Sequence, residues 1–255
     1  MDNIILKEDK KLDMTIAPNE VHFVVEEDKE IFLSLTNLSL NNNVLIELNK
    51  GSIVHLSVLA NKEYGNMKIC ANLALNSKII AYFADFSKDN NNLDVTINLN
   101  EKNASAEWHL ASLASSQDKK DISVSVFHNS EETFAKVDNY GVSKDNSKLV
   151  FAGTSHILKG SIKSKTHQNA KIMVFDPYSD ATAKPILKID ENDIEASHAA
   201  AVGKISDEHL FYLTSRGLSM DEAKMIITLG YLKPIFKGFN DEEVNEMNEI
   251  IEGRL

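Results

Sequence analysis

The feature that most limits the fold of this chain is a long series of short apolar runs between Val21 and His198, separated by polar corners. Many runs alternate apolar and polar residues with a period of two, as Leu93, Val95 and Ile97 do against their polar neighbours. Helical spacing is nearly absent here. The runs are VHFVV, IFLSL, VLIEL, IVHLSVL, MKICANLAL, KIIAYFA, LDVTINL, SAEWHLASLA, DISVSVFH, TFAKV, KLVFA, SHIL, KIMVF and PILKI. They predict a mainly β fold of many short strands.

Such a chain can form a sandwich, a barrel or a solenoid. Asn-Gly and Asp-Gly hairpin signals are missing at several tight corners, and a solenoid of parallel strands needs no hairpins. Asparagine-rich stretches at residues 41–43 and 90–92 are expected at corners, because asparagine tolerates left-handed backbone angles. No strict repeat period is visible, so the pattern favours a parallel β-helix only slightly over a sandwich.

Helical signals begin after residue 203. Ser206 is a predicted N-cap, Gly217 a predicted C-terminal glycine, and Ser219 with Glu222 a capping box; another helix is predicted to open at Asn240. These signals divide the chain into a short N-terminal segment (1–20), a β-helix core (21–203) and a C-terminal helical subdomain (204–255). The helices are expected to be able to cover one end of the solenoid.

Composition excludes some classes of function. The net charge of −11 argues against nucleic-acid binding, which needs a dense basic surface. The N-terminus has charges where a signal peptide would need an apolar core, and no segment approaches a membrane span. The single cysteine, Cys70, fits a reducing compartment and a packed position in a strand. A cytoplasmic protein is therefore expected.

Motifs for the common chemistries are missing. The sequence has no phosphate-binding loop, no G-x-S-x-G nucleophile elbow and no H-E-x-x-H zinc helix. Six histidines lie in or beside predicted strands without the spacing of metal ligands, so a local hydrogen bond is the simpler explanation for each. They are His55, His109, His128, His156, His167 and His198. No catalytic residue is predicted, and we expect the chain not to be an enzyme.

One stretch carries a family resemblance. The string SHAAAVGKISDEHLFYLTSRGL at residues 197–218 resembles the C-terminal signature of the SufB/SufD family of iron–sulfur cluster assembly proteins. A weaker match follows the same order over residues 151–189, with FAGTSHILKGS, then Gln168, then KPILKI. SufB-type members carry a cysteine just after the glutamine, where this chain has Asn169. The resemblance is therefore to a SufD-type member, here with a short N-terminus.

The resemblance implies a right-handed parallel β-helix followed by a C-terminal helical region. It also implies a non-catalytic scaffold that pairs with a SufB-like subunit through the end of the β-helix and docks a SufC-type ATPase. His198 is the implied cluster-assembly residue at the subunit interface and a candidate metal ligand. The docking residues assigned on this basis are Phe211, Tyr212, Arg216, Gly217, Met220, Ile227 and Tyr231.

No cofactor is expected to bind tightly to the isolated chain, because one thiol cannot hold a cluster; a transient cluster at a subunit interface is compatible with the sequence. Two alternatives remain open. One is a homodimer with a cluster or metal bridging two copies of the His198 strand. The other is a carbohydrate-active enzyme on a β-helix, although Trp108 is the only tryptophan available as a sugar platform.

Overall fold

The computed structural model describes residues 3–255, in which strands alternate between two sheets and helices follow. Sheet A contains β1 (Asn3–Leu6), β3 (Glu20–Val25), β5 (Asn41–Leu48), β7 (Asn66–Leu73), β9 (Asn90–Leu99), β11 (Lys119–His128), β13 (Lys148–Ile157) and β15 (Asp180–Ile189). Sheet B contains β2 (Lys10–Asp13), β4 (Glu30–Thr36), β6 (Ile53–Ala60), β8 (Lys78–Asp85), β10 (Ser105–Ala114), β12 (Phe134–Ser143), β14 (Lys165–Val174) and β16 (Glu195–Lys204). Neighbouring strands are parallel throughout the described chain. The fold is the predicted parallel β-helix.

The core lies between the two sheets and consists of the inward-facing half of each strand. Alternation along a strand places every second side chain inside, and equivalent residues stack from coil to coil. Phe23, Phe83 and Trp108 are among the largest side chains that are fully buried. Each such side chain contributes roughly 1.5–3 kcal/mol by leaving water, so stacked columns of apolar residues stabilise the solenoid.

Two strands lie earlier in the chain than the sequence pattern indicates. β1 pairs with β3 and β2 pairs with β4, so strands begin well before Val21. Each of these first strands has four residues, and Lys10 and Lys11 obscure the alternation in β2. Met1 and Asp2, at the start of the predicted N-terminal segment, lie outside the described residues.

The asparagine-rich stretches at residues 41–43 and 90–92 open strands β5 and β9, so the prediction of corners there is wrong. Their buried members bind the backbone of the preceding turn. The Asn91 Oδ1 atom accepts from the Tyr64 and Gly65 N–H groups, each at 2.9 Å. The Asn42 Oδ1 atom accepts from the Ser39 N–H at 3.2 Å. Asparagine is therefore tolerated inside because it satisfies turn donors that would otherwise be orphaned.

The C-terminal helices are α1 (Asp207–Ser215), α2 (Met220–Leu232), a 3₁₀ helix (Lys233–Gly238) and α3 (Asp241–Glu252). The predicted caps are confirmed: Ser206 caps α1, and complete capping boxes open α2 at Ser219 and α3 at Asn240. Gly217, with φ of +97°, ends the α1 turn in the left-handed conformation that favours glycine. None of the helices within residues 3–255 is long and apolar enough to cross a membrane.

These helices pack along the flank of sheet B, so the expectation that they cover an end of the solenoid is wrong. The outer face of sheet B is apolar toward the ends of its strands and packs against the helices through a second core that includes Leu59, Ala84 and Leu113. The Arg254 guanidinium, just after α3, donates to the Phe86 and Ser87 carbonyls at 2.9 and 2.6 Å. Covering this apolar flank removes more apolar surface from water than covering an end coil of small residues.

Candidate functional site

The last coil of the β-helix, β15 with β16, is the first candidate surface, and we call it the open end. Each strand has a neighbour on one side only, β13 for β15 and β14 for β16. The inward-facing residues of the open end are mostly small: Ala181, Ala183, Pro185, Leu187 and Ile189 from β15, and Ala196, His198, Ala200 and Val202 from β16. In the described chain no further coil lies over them, and Val202 is 45% exposed.

The free edge of β16 offers an uninterrupted row of backbone groups. The Glu195 N–H donates to the carbonyl of Ser164, the residue just before β14, and the Ile205 N–H donates to the carbonyl of Val174 at the end of β14, each at 3.0 Å. In a parallel ladder alternate residues bond to the same neighbour, so the odd-numbered residues of β16 are paired. The N–H and C=O groups of Ala196, His198, Ala200 and Val202 therefore point away from β14. Such an edge is a template for another strand.

The free edge of β15 is interrupted. Asp180 and Asp190 donate their N–H groups to the Ser147 and Ile157 carbonyls at 2.9 Å, which pairs the even-numbered residues with β13. Pro185 is odd-numbered and sits at the middle of the strand, so its missing N–H falls on the free edge. β16 is thus the better template of the two edges.

His198 lies in β16, the edge strand of sheet B. Its side chain faces the same way as those of Ala196 and Ala200 and stacks in register above Gln168 of β14. Because no further coil of the described chain lies over it, the imidazole is exposed although it occupies an inward-facing position of its strand. An exposed imidazole between two alanines is accessible to a group on a partner surface.

The second candidate surface is an apolar patch on α1 and α2, which we call the helical patch. It consists of Phe211, Tyr212, Met220 and Ile226, with exposed fractions of 74, 56, 49 and 48%. The Arg216 guanidinium carbon lies 5.2 Å from the Tyr212 ring centroid, a cation–π contact at the rim. Several large apolar side chains exposed on two consecutive helices are a feature of interaction sites.

The residues assigned to ATPase docking divide between two environments. Phe211, Tyr212, Arg216 and Met220 lie at the surface. Ile227 and Tyr231 instead pack against the core beneath the helices. The Tyr231 ring meets the Tyr140 ring edge-on at 5.8 Å, and burial raises the pKa of Tyr231 to about 12.

The other histidines are separate and have local partners. His55 and His156 each lie beside one carboxylate, Glu30 at 2.8 Å and Asp190 at 2.7 Å. His167 pairs with the Ser197 hydroxyl at 2.8 Å. Within residues 3–255, no group of three or more His, Cys, Asp and Glu side chains is arranged to hold a metal ion.

His109 belongs to a charged cluster on the outer face of sheet B. It stacks on Tyr82 with 4.9 Å between ring centroids, and its Nδ1 atom lies 3.5 Å from Asp138. Burial alone would raise the pKa of Asp138, but hydrogen bonds from His109 and Lys136 lower it to about 2. The cluster is a set of ion pairs beside the 3₁₀ helix, away from both candidate surfaces.

Cys70 lies in β7, half-buried on the outer face of sheet A. Burial raises the pKa of its thiol, which favours the less reactive protonated form. Four strand spacings separate β7 from β15, which is about 19 Å. Cys70 therefore cannot bind a group held at the open end.

Sequence reasoning did not assign a role to three residues near the open end: Gln168, Ser155 and Pro185. A signal for each was present. Proline inside a strand pattern indicates an edge strand, and the appearance of glutamine and serine at inward positions breaks the apolar alternation.

The fold and these surfaces define a class: a parallel β-helix protein with helices along one flank, whose last coil is uncovered in the part of the chain that the structure describes. Comparison with known families identifies it further. Residues 13–231 match the family model described as the SUF system FeS cluster assembly, SufBD core domain. The chain therefore belongs to the SufBD family, which confirms the resemblance seen in the sequence.

Similar proteins carry the same family description at modest identity. The iron–sulfur cluster assembly protein SufD of Bacillus subtilis is 33% identical over 117 residues, which are 46% of this chain and 27% of that protein. A SufBD family protein of Staphylococcus saprophyticus is 30% identical over 132 residues, 52% of this chain and 28% of that protein. One from Mycobacterium bovis is 28% identical over 151 residues, 59% of this chain and 18% of that protein. The matched stretch is less than a third of each relative's length.

Proposed function

We propose that this chain is a non-catalytic scaffold subunit of a Suf-type iron–sulfur cluster assembly complex. It pairs with a SufB-like subunit through the open end and docks a SufC-type ATPase through the helical patch. The observation that carries this proposal is that the two surfaces are consecutive in the chain. β16 ends at Lys204 and α1 begins at Asp207, so the β16 strand of the open end and the helical patch lie together within residues 195–226.

This continuity gives a physical route for coupling. α1 follows β16 after two residues, and Ile205 is anchored by its N–H bond to the Val174 carbonyl at 3.0 Å. A force on α1 from an ATPase bound at Phe211 and Tyr212 would therefore act directly on the strand that carries His198. A nucleotide-driven movement of the docked ATPase is in this way transmitted to the subunit interface.

The cluster is the cargo of the complex, and this chain supplies few of its ligands. Iron–sulfur clusters are held mainly by thiolates, and the one thiol here lies about 19 Å from β15 by strand spacing. His198 is the residue of the open end with a nitrogen ligand to offer. The remaining ligands must come from the partner, which is why a heteromeric complex fits better than the isolated chain.

The docking part is tested by co-purification with a SufC-type ATPase and a SufB-type subunit from the same organism. The Arg216→Ala, Met220→Glu double variant should lose the ATPase, because a charge is placed in the helical patch. Phe32→Asp is the matched control, since Phe32 is 56% exposed on β4, away from the patch. Equal ATPase recovery with the double variant and the control would contradict docking at the helical patch.

The pairing part is tested with Ala200→Pro. This change removes an N–H from the free edge of β16 without removing a bond to β14, so the subunit should fold and fail to pair. The solution mass of the wild-type chain alone and with the SufB-type subunit separates a heterodimer from a homodimer. Stoichiometric iron and sulfide on the isolated chain would contradict the proposal.

A further inference from the structure

The interior of the β-helix changes character in the last complete coil. One inward column of sheet B runs through Leu33, Leu56, Ala81, Trp108 and Val137, then reaches Gln168 and finally His198. An inward column of sheet A is apolar from Phe23 through Val126 and then reaches Ser155. In these two columns, polar side chains thus replace apolar ones directly beneath the open end.

Gln168 crosses the interior from sheet B to sheet A. Its Nε2 atom donates to the Ser155 Oγ atom of β13 at 2.6 Å and to the Ile186 carbonyl of β15 at 3.3 Å. The Thr166 hydroxyl also donates to Ser155, at 2.9 Å. Gln168 is only 6% exposed, so these bonds are shielded from water.

The opposite wall leaves room for this side chain. Gly153 of β13 faces Gln168, and a methyl group added there would lie 2.7 Å from the Gln168 Oε1 atom. In the column of sheet A that contains Gly153, the two preceding coils carry Val124 and Val95. The glycine and the glutamine therefore fit each other, and neither fits the apolar pattern of the earlier coils.

The terminal coil, β15 with β16, is the part of the solenoid where a hydrogen bond between the two sheets matters most. Within sheet A, β15 pairs with β13 alone, and the helices pack on sheet B, leaving the outer face of sheet A uncovered in the described chain. The inner coils, which we call the closed coils, have a neighbouring coil on both sides. Core packing on both sides holds their two sheets together. At the open end that packing exists on one side only, so a cross-sheet hydrogen bond takes its place.

We infer that Gln168 is a positioning residue that holds β15 against β14 and so fixes the shape of the open end. The effect of Gln168 on subunit pairing rests on the proposed function. The effect of Gln168 on β15 does not rest on it and can be measured on the isolated chain.

The direct test is amide hydrogen exchange of Gln168→Leu. Losing the Gln168 hydrogen bonds should accelerate amide exchange across residues 180–190 about tenfold, because a buried hydrogen bond contributes about 1.4 kcal/mol to the free energy of local opening. Val137→Ala is the matched control: it lies in the same column one coil earlier and weakens the core without touching β15. Exchange over 180–190 that rises no more in Gln168→Leu than in Val137→Ala would overturn the inference.

Two further variants distinguish the loss of this hydrogen bond from misfolding of the chain and from a change in core packing. Ser155→Ala removes one acceptor and should accelerate the same peptides to a smaller degree. Gln168→Met keeps about the length of the side chain but has no hydrogen-bond donor, so it should behave like Gln168→Leu. Full protection in Gln168→Met would show that side-chain volume, not donation, holds β15, and would overturn the role assigned to the amide.

Pairing is then measured with the SufB-type subunit by sedimentation. Gln168→Leu should raise the dissociation constant about tenfold, while Val137→Ala should leave it unchanged. Equal pairing by wild type and Gln168→Leu would overturn the positioning role. If the wild-type chain itself does not pair, the proposed function is wrong, and the exchange experiment still decides whether Gln168 holds β15.

Discussion

The closed coils and the terminal coil of this β-helix are built from the same two-strand unit. A closed coil has a neighbouring coil on both sides, whereas the terminal coil has one on one side only. Trp108 and His198 show the difference, because they occupy one inward column of sheet B. Trp108 is 1% exposed, whereas His198 has no coil above it and is exposed. A side chain that points inward is therefore buried only where another coil lies over it, and at the end of the solenoid the same orientation leaves it exposed.

The largest expected effect follows from this contrast. Trp108→Ala should lower the free energy of unfolding by about 3–5 kcal/mol, because it leaves a cavity in the closed core. His198→Ala should change it by less than about 0.5 kcal/mol, since an exposed side chain is removed. Urea unfolding of both variants measures the two values. Similar losses would mean that the terminal coil is covered in solution, as in a stable homodimer.

A buried ion pair gives a second test of the closed coils. The Lys120 Nζ atom lies 2.8 Å from the Asp85 Oδ1 atom, and both side chains are fully buried. Lys120→Met should cost about 3–5 kcal/mol, because it leaves the Asp85 carboxylate buried without its cation. Lys119→Met, on the exposed neighbour, is the control for urea unfolding. The double variant Lys120→Met, Asp85→Leu should recover much of the loss, and a double variant no better than the single one would contradict this account.

A third test follows the stability contribution of a buried histidine across pH. His128 is fully buried in β11, where its Nδ1 atom lies 2.8 Å from the Thr133 hydroxyl, and burial lowers its pKa from 6.5 to about 4. Between pH 6.5 and pH 4 the unfolded chain binds a proton at His128 that the folded chain does not bind. The contribution of His128 to the free energy of unfolding is therefore present above pH 6.5 and is lost as the pH drops toward 4. The loss from His128 should be about 3 kcal/mol.

Thermal or urea unfolding between pH 7 and pH 4 measures this loss. His128→Leu should flatten the profile in that window, while Val124→Ala, which removes no titratable group from the same strand, should lower the whole profile and keep its slope. A profile of the same slope in the wild type and in His128→Leu would show that burial does not control this titration.

Much of the fold could be predicted from residues taken alone. Period-two alternation in stretches such as residues 93–99 predicted strands, and the missing hairpin signals favoured parallel coils. The caps at Ser206, Ser219 and Asn240 were also predictable, because capping depends on a few residues close together in the chain. The family resemblance around His198 was visible for the same reason: its motif is a continuous string.

Long-range placement was not predictable from the pattern. The helices were expected to be able to cover an end, but the sequence does not show that Leu59, Ala84 and Leu113 form one apolar flank, because they come from three different strands. The division of the docking residues into exposed Phe211 and packed Tyr231 also depends on what lies beneath the helices. The first strands were missed because four-residue strands carry too little alternation to be recognised.

The sequence by itself determined the strand content, the helix caps, the family motif and the position of His198 in a strand, since each depends on neighbours along the chain. The tertiary structure decided which inward-facing residues are buried, which strand edge is continuous and how Gln168 links two sheets. The physical reason is that burial and cross-sheet hydrogen bonds depend on residues tens of positions apart, such as Gln168, Ser155 and Ile186, whose contacts exist only once the coils have stacked.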